Sequence, residues 1–226
     1  MATGSTVRSS LDSGSPYVVL RDVGWKGYNA VLKLRGERPR PRVVYLDGSV
    51  YFMTTSLPHE RFKKLLGLLV VAVAQELRIS FYQTGSTTFR RKAKRGGVEG
   101  DETYYFANAA RVRGKKEIDL KVDPPPDLAI EVVHTNPVRA SLEVYRRLGV
   151  PEVWACEDDG LMILVLQADG KYVGSKTSKV FPFLTAAEIF ARITQPDPNN
   201  DLEWLDELQR WAREDVAKRP RPAAGP

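Results

Sequence analysis

A carboxylate interrupts an apolar, strand-like segment of the chain. Residues 124–135 read PPPDLAIEVVHT, and Glu131 has aliphatic neighbours on both sides there. Because side chains alternate across a strand, Asp127, Ala129 and Glu131 share one face, and only apolar side chains occupy the other. The segment therefore predicts a strand with one face in an apolar core and the other bordering solvent or a polar site.

The elements around this strand predict an α/β domain with a mixed β-sheet flanked by helices. Asp47-Gly48 lies between two short apolar runs and predicts an N-terminal β-hairpin. Apolar residues at helical spacing predict five helices, at residues 25–34, 59–77, 138–148, 184–193 and 201–216. Further strands and a second hairpin are expected at residues 79–85, 86–91, 103–108, 127–134, 151–157 and 161–175.

Length and composition fit one folded domain with short tails. Hydrophobic residues make up 42% and charged residues 27% of the chain, as is usual for globular proteins. Ends rich in Ser, Gly, Pro and Arg predict disordered tails at residues 1–15 and 218–226, around a domain at 16–217. The single cysteine, Cys156, excludes an internal disulfide framework and favours a reducing compartment, the cytoplasm. The apolar run at residues 65–74 is about half the length of a membrane span, so no membrane role is expected.

Positive charge is concentrated in one segment of a chain whose net charge is +6. Residues 89–97 read FRRKAKRGG and contain no acid; their basic residues are Arg90, Arg91, Lys92, Lys94 and Arg95. Such a cluster supplies the salt-dependent, phosphate-binding part of nucleic-acid recognition. A solvated loop that only aids solubility has the same composition, so both interpretations stay open.

Glu131 needs a second acid if it helps to bind a cation. Asp127, four residues away on the same strand, is about 13 Å distant and cannot share an ion with it. Asp101 precedes an aromatic strand that is suited to pair with the Glu131 strand. Two buried carboxylates that meet call for a compensating cation, and Mg²⁺, or Mn²⁺ as a second candidate, takes such oxygen ligands. The alternative is a structural ion pair of Glu131 with a nearby arginine, for example Arg139 or Arg146.

Four segments carry a family resemblance: GSTTFRRK, EGDETYYFAN, PPPDLAIEVVHT and LEVYRRLGVPEVW, at residues 85–92, 99–108, 124–135 and 142–154. Together they resemble the Uma-type restriction endonucleases, a bacterial family. The resemblance implies the PD-(D/E)XK nuclease superfamily, with a restriction endonuclease-like mixed sheet flanked by helices. It also implies an endonuclease that hydrolyses DNA phosphodiester bonds with Mg²⁺.

The resemblance implies roles for individual residues. The first acidic motif of the family falls on Asp101, in EGDE, where Gly100 stands in place of a more common proline. The second acidic position falls on Glu131. Asp127 is then either a residue at the start of the strand or one that contacts the metal ligands without binding the metal itself. A third acid of the superfamily falls on Glu60, although a carboxylate favoured by a helix N-terminus explains Glu60 equally well.

The lysine of the superfamily is missing. A literal (D/E)XK motif places it at Val133, and relatives that carry it in the following helix place it at Ser141. This lysine orients the attacking water or stabilises charge on the reacting phosphate, and a serine carries no charge. The leading interpretation is therefore a Mg²⁺-dependent DNA endonuclease. The alternatives are a catalytically inactive, DNA-binding protein of nuclease fold and a metal-dependent hydrolase of another phosphoester. Superfamily members are often dimers, so a homodimer is one option for its assembly.

Overall fold

The computed structural model describes residues 8–10, 17–36, 38, 40–133, 138–195 and 200–220. Within these residues twelve strands form two six-stranded sheets, accompanied by helices. The elements are β1 (Arg8–Ser10), β2 (Tyr17–Arg21), α1 (Trp25–Arg35), β3 (Arg42–Leu46), β4 (Ser49–Met53), α2 (Leu57–Glu76), β5 (Tyr82–Gln83), β6 (Thr88–Arg91), β7 (Gly96–Glu99), β8 (Glu102–Tyr105), α3 (Ala109–Val112), β9 (Leu128–Val132), α4 (Val138–Leu148), β10 (Glu152–Glu157), β11 (Gly160–Leu166), β12 (Tyr172–Ser175), α5 (Ala186–Thr194) and α6 (Asp201–Glu214).

The predicted α/β class is confirmed, and the strands are divided between two sheets. The first sheet has the order β1-β2-β4-β3-β7-β6, and the second has the order β12-β11-β10-β9-β8-β5. The second sheet is mixed, because β9 and β10 run parallel while their other neighbours run antiparallel. The predicted hairpin joins β3 to β4, where Asp47 and Gly48 both have positive φ, at 47° and 92°, as tight hairpin turns require.

Helix α4 packs against both sheets. Its residues Ala140, Val144, Tyr145 and Leu148 are buried, and they pack against side chains from both sheets, among them Val44, Val98, Ala129 and Val153. Glycine makes this packing close, since a Cβ on Gly96 of β7 would lie 3.1 Å from a methyl group of Val144. The junction of β3, β7, β8, β9 and α4 is therefore a single packed region.

The long helix α2 covers the other face of the second sheet. Its apolar positions pack with Leu128, Ile130 and Val132, which is the purely apolar face expected for β9. Its N-terminus is defined by Ser56, whose hydroxyl accepts a hydrogen bond from the backbone N–H of His59. None of the helices in the described residues is long and apolar enough to span a membrane.

Most of the predicted tails lies outside the described residues. Residues 1–7, 11–16 and 221–226 are not described, whereas residues 8–10 form β1 and pair with β2. Near the other end, Arg219 forms ion pairs with Glu188 and Asp215.

Candidate active site

Strands β8 and β9 bring Asp101 and Glu131 together. The strands pair antiparallel with Glu102 opposite Ile130, so Asp101, one residue before β8, lies beside Glu131. The backbone N–H of Val132 donates to Asp101 Oδ2 at 2.8 Å. Asp101 is 0% exposed and Glu131 is 2% exposed. The structure therefore places the two acids where strand pairing predicted them.

Arg42, at the start of β3, inserts its guanidinium between these two carboxylates. Its Nη1 lies 2.6 Å from Asp101 Oδ1, and its Nη2 lies 3.1 Å from Glu131 Oε2. The backbone C=O of Glu99 accepts from Nη2 at 2.5 Å and from Nε at 3.1 Å. Three oxygen groups, from the end of β7, from the residue before β8 and from β9, thus converge on one buried cation.

The outer oxygens of the two carboxylates are also engaged. Asp101 Oδ2, which binds the N–H of Val132, lies 3.2 Å from Nε2 of His59. Glu131 Oε1 accepts a hydrogen bond of 2.6 Å from the hydroxyl of Tyr145 on α4. All four carboxylate oxygens of the pair consequently have a donor partner.

The charges of this cluster are set by burial and mutual attraction. Burial alone would lower the pKa of Arg42, but Asp101 and Glu131 outweigh it and hold that pKa above its usual range. Burial also acts to raise the pKa of Asp101, yet Arg42 and His59 overcome it and lower that pKa. For Glu131 burial is the larger effect and raises the pKa. Arg42 is thus always charged, and Asp101 is the more acidic member of the pair.

This arrangement does not fit a divalent cation between Asp101 and Glu131. The guanidinium of Arg42 lies where an ion bridging the two carboxylates would have to lie, and it takes one oxygen of each. A second cation beside a permanently charged guanidinium in a buried site is strongly repelled. Within the described residues, no group of three or more His, Cys, Asp or Glu side chains is arranged to hold a metal ion.

Glu131 therefore forms a structural ion pair, as the alternative interpretation predicted, and its partner is Arg42. Arg139 is exposed. Arg146 binds the carboxylate of Glu143 and the backbone C=O of Gly170. The partner of Glu131 comes instead from β3, 89 residues earlier in the chain.

Glu60 lies beside the cluster rather than in it. It occupies the first turn of α2, and its carboxylate lies 3.3 Å from Nη2 of Arg40 and 3.9 Å from Nζ of Lys63. Its Oε1 is 3.7 Å from Nδ1 of His59, whose other nitrogen faces Asp101. Glu60 therefore lies on the other side of His59 from the pair.

Asp127 and Ser141 have separate surroundings. The carboxylate of Asp127 accepts from the backbone N–H groups of Phe106 and Asn108, at 2.6 and 3.1 Å, and from the side chain of Asn108 at 2.7 Å. It therefore holds the turn after β8, at the far end of β9 from Glu131.

Ser141 lies one turn before Tyr145 on α4, is 1% exposed, and its hydroxyl has no hydrogen-bond partner among the described residues.

The five predicted nucleic-acid-binding residues surround the turn between β6 and β7. Arg90 and Arg91 end β6, Lys92 and Lys94 lie in a single turn of 3-10 helix, and Arg95 precedes β7. Arg95 pairs with Asp47 at 3.1 Å, and Arg90 donates to Asn29 at 2.5 Å. All but Arg91 are exposed, and β7 separates this turn from Asp101.

A polar cleft opens next to the buried cluster. Its volume is about 480 Å³, and its lining consists of arginines, hydroxyl groups and one acid: Arg35, Arg38, Arg42, Thr84, Ser86, Thr87, Thr88 and Glu99. A second cavity of about 310 Å³ shares Arg35, Thr87 and Thr88 with it and adds two basic residues, one acid and two apolar side chains: Arg90, Lys116, Glu117, Leu32 and Ile118. We call these two together the polar cleft. It extends from Arg42 to the basic residue Arg90 of β6.

Comparison with known proteins places the chain in a family. The family model described as "Uma2: Putative restriction endonuclease" matches residues 28–194, which is most of the chain. The chain belongs to the Uma2 family. Membership confirms the resemblance carried by the four sequence segments, and it supports a nuclease-like function. No curated protein matches the chain.

Solved structures are also similar to this Uma2 chain. One of them is a crystal structure of a putative nuclease belonging to DUF820 from Anabaena variabilis. The two share 13% sequence identity with a TM-score of 0.49, and the match covers 71% of this chain and 96% of the other.

Three residues of this Uma2 site were missed from the sequence: Arg42, His59 and Tyr145. His59, in the first turn of α2, is 5% exposed. Tyr145 lies four residues after Ser141, so helical spacing already placed it on the same face as the expected lysine position. Arg42 begins the strand RVVYL, and a charge at the start of such an apolar strand was the available signal for a buried pair.

Proposed function

We propose that this Uma2 protein binds DNA through the polar cleft and does not cleave it with a metal ion at Asp101 and Glu131. The observation that carries the proposal is the guanidinium of Arg42, which takes one oxygen from each carboxylate. Ser141 adds support, because a buried serine supplies no charge where the superfamily lysine is expected. The nuclease fold is then retained as a nucleic-acid-binding scaffold.

The chemistry of the polar cleft suits phosphate groups. Arg35 already forms an ion pair with Glu99, at 2.5 Å. Its main role is therefore to hold the lining of the cleft in place. Arg38 and Lys116 are exposed and lie on the two parts of the cleft.

The hydroxyl of Ser86 adds a donor for phosphate oxygens, as in other nucleic-acid interfaces. The hydroxyls of Thr87 and Thr88 already donate to the backbone C=O of Thr84 and to Glu99.

A Mg²⁺-dependent DNA endonuclease is the second candidate function. It is favoured by one observation, that Asp101 and Glu131 meet at the edge of β8 and β9 although they lie 30 residues apart. It requires Arg42 to leave a position in which four hydrogen bonds hold it. Because a buried arginine that loses such partners is costly, we rank this candidate second.

A plasmid assay separates the two functions. Wild type and an Asp101→Asn/Glu131→Gln variant are incubated with supercoiled DNA and Mg²⁺ or Mn²⁺, and nicked product is followed with time. We expect equal background nicking by both proteins. Nicking by the wild type that exceeds that of the variant and disappears with a chelator supports the endonuclease and overturns our proposal.

DNA binding should depend on the cleft and on salt. We expect Arg38→Ala and Lys116→Ala each to weaken duplex binding and to reduce the slope of log K against log salt by about 1. Fluorescence anisotropy between about 50 and 200 mM salt measures both quantities. Lys171→Ala, which removes an exposed charge outside the cleft, is the matched control. Cleft variants that behave like this control contradict the assignment of the cleft.

A further inference from the structure

The polar cleft has a closed end. Arg42 and Glu99 are the two buried residues of its lining, with exposed fractions of 6% and 2%. Their charges are already balanced, Arg42 by the two buried carboxylates and Glu99 by Arg35. A ligand that enters from solvent therefore stops at these residues, and a polymer can place only its end there.

Donors that no protein group uses lie beside this closed end. Arg38 is exposed and forms no ion pair among the described residues, and the exposed hydroxyl of Ser86 has no partner among them either. The backbone N–H of Thr87 closes a turn onto the C=O of Thr84, and Gly85 within this turn has a φ of 51°. The N–H of Ser86 is left without a backbone acceptor in the described part of the chain. Turn N–H groups next to a left-handed residue bind anions, and a guanidinium binds phosphate oxygens.

The second cavity of the cleft is amphipathic. Leu32 and Ile118 give it an apolar part, and the exposed cations Arg90 and Lys116 lie on the same lining. A nucleotide is divided in the same way, into a base with apolar faces and a charged phosphate. Cavities of about 480 and 310 Å³ are in the range of small-molecule sites, whereas a duplex lies against a large open surface. The cleft is therefore suited to the end of a single strand.

The charge of the cleft favours a terminal phosphate group over a phosphate within a strand. Three exposed cations of the lining, Arg38, Arg90 and Lys116, form no ion pair among the described residues, and the one exposed acid of that lining is Glu117. A terminal phosphate monoester carries a charge of about −1.5 to −2 at pH 7 and presents three strong acceptor oxygens. A phosphodiester carries a single negative charge. The monoester thus gains more from this excess of cations.

We propose that the polar cleft binds the end of a single DNA strand, with a terminal phosphate monoester beside Arg38 and Ser86 and the adjoining nucleotide in the second cavity. The inference deepens the proposed function and rests on it, because it names the part of the DNA that enters the cleft. A linear duplex meets the cleft with the end of one of its strands.

Oligonucleotides that differ only at their ends test the inference. One short single-stranded DNA sequence with an internal fluorescent label is prepared in four forms: with a 5′-phosphate, with a 3′-phosphate, with hydroxyls at both ends, and as a closed circle. We expect one phosphorylated form to bind about 10- to 100-fold more tightly than the hydroxyl form, as charge-assisted hydrogen bonds allow. The form that gains shows which end of the strand enters. The circle should bind no more tightly than the hydroxyl form.

Variants at the closed end connect this preference to the cleft. Arg38→Ala and Ser86→Ala change exposed side chains, so both proteins should fold normally. We expect each to reduce the preference for the phosphorylated form, by about 10-fold for the arginine and about 3-fold for the serine. Lys171→Ala, whose charge lies outside the cleft, is the matched control and should keep the full preference.

Two outcomes overturn the inference. One is equal binding of the linear forms and the circle, and the other is a preference for a terminal phosphate that Arg38→Ala and Ser86→Ala both leave intact. If all four forms bind equally but lose affinity in Lys116→Ala, the proposed function stands and the inference fails. If none of the four forms binds, both fail.

Discussion

Arg42→Ala is expected to lower the free energy of unfolding by about 3–5 kcal/mol in the absence of divalent ions. The change leaves Asp101 and Glu131 adjacent, buried and without their shared cation, and it also removes two donors from the carbonyl of Glu99. Removing one side of a buried charge network costs far more than removing an exposed charge. Urea unfolding followed by circular dichroism, in buffer with a chelator, measures the difference.

Arg38→Ala is the control for that experiment. Arg38 lines the same cleft but is exposed, so its loss should change stability by no more than about 0.5 kcal/mol. A result for Arg42→Ala that equals that of Arg38→Ala would show that the guanidinium does not hold the carboxylates in solution. An Arg38→Ala/Arg42→Ala double variant also shows whether the two arginines contribute to stability independently.

Gly100→Ala is expected to lower the free energy of unfolding by about 2–4 kcal/mol. A Cβ at this position would lie 2.5 Å from the hydroxyl of Tyr145 and 3.0 Å from a methyl group of Thr103. Tyr145 is fully buried, so it cannot swing aside without losing its hydrogen bond to Glu131. Glycine at position 100 is thus required for the close approach of α4 to the carboxylate pair, and chemical denaturation tests this.

A double-mutant cycle identifies the cause of that loss. Tyr145→Phe removes the hydroxyl that meets the new Cβ, and the remaining ring carbon, Cζ, lies 3.7 Å away. We therefore expect Gly100→Ala to cost about 1–2 kcal/mol less in the Tyr145→Phe background than in the wild type. Additive losses would mean that Thr103 or the backbone, rather than Tyr145, resists the added methyl group.

The carboxylate pair was predictable because it depends on neighbouring strands. Alternation placed Glu131 on the polar face of β9, and the extended length of four residues separated it from Asp127. Asp101 then followed from the pairing of β8 with β9, which the structure contains. The bounds of α4 and the turn at Asp47-Gly48 were predictable for the same reason, since helical periodicity and turn chemistry act over a few residues.

The cation that lies between the two carboxylates could not be predicted in the same way. Arg42 lies 59 residues before Asp101 and 89 residues before Glu131, and it belongs to the other sheet. Both Arg139 and Arg146 were nearer to Glu131 in sequence, yet neither contacts it. No local pattern specifies which strand of one sheet faces a given residue of the other.

The sequence by itself determined the α/β class and the two acids that meet, because periodicity, turn chemistry and strand alternation are local properties of the chain. Its four motif segments carried the resemblance to the family. Only the tertiary structure decided what those acids bind. Packing α4 between the sheets brings Arg42 of β3 to the end of β8 and β9, and Gly100 leaves room for Tyr145. Once the guanidinium is buried there, Coulomb attraction to two carboxylates and the cost of desolvation make it the cation of the site.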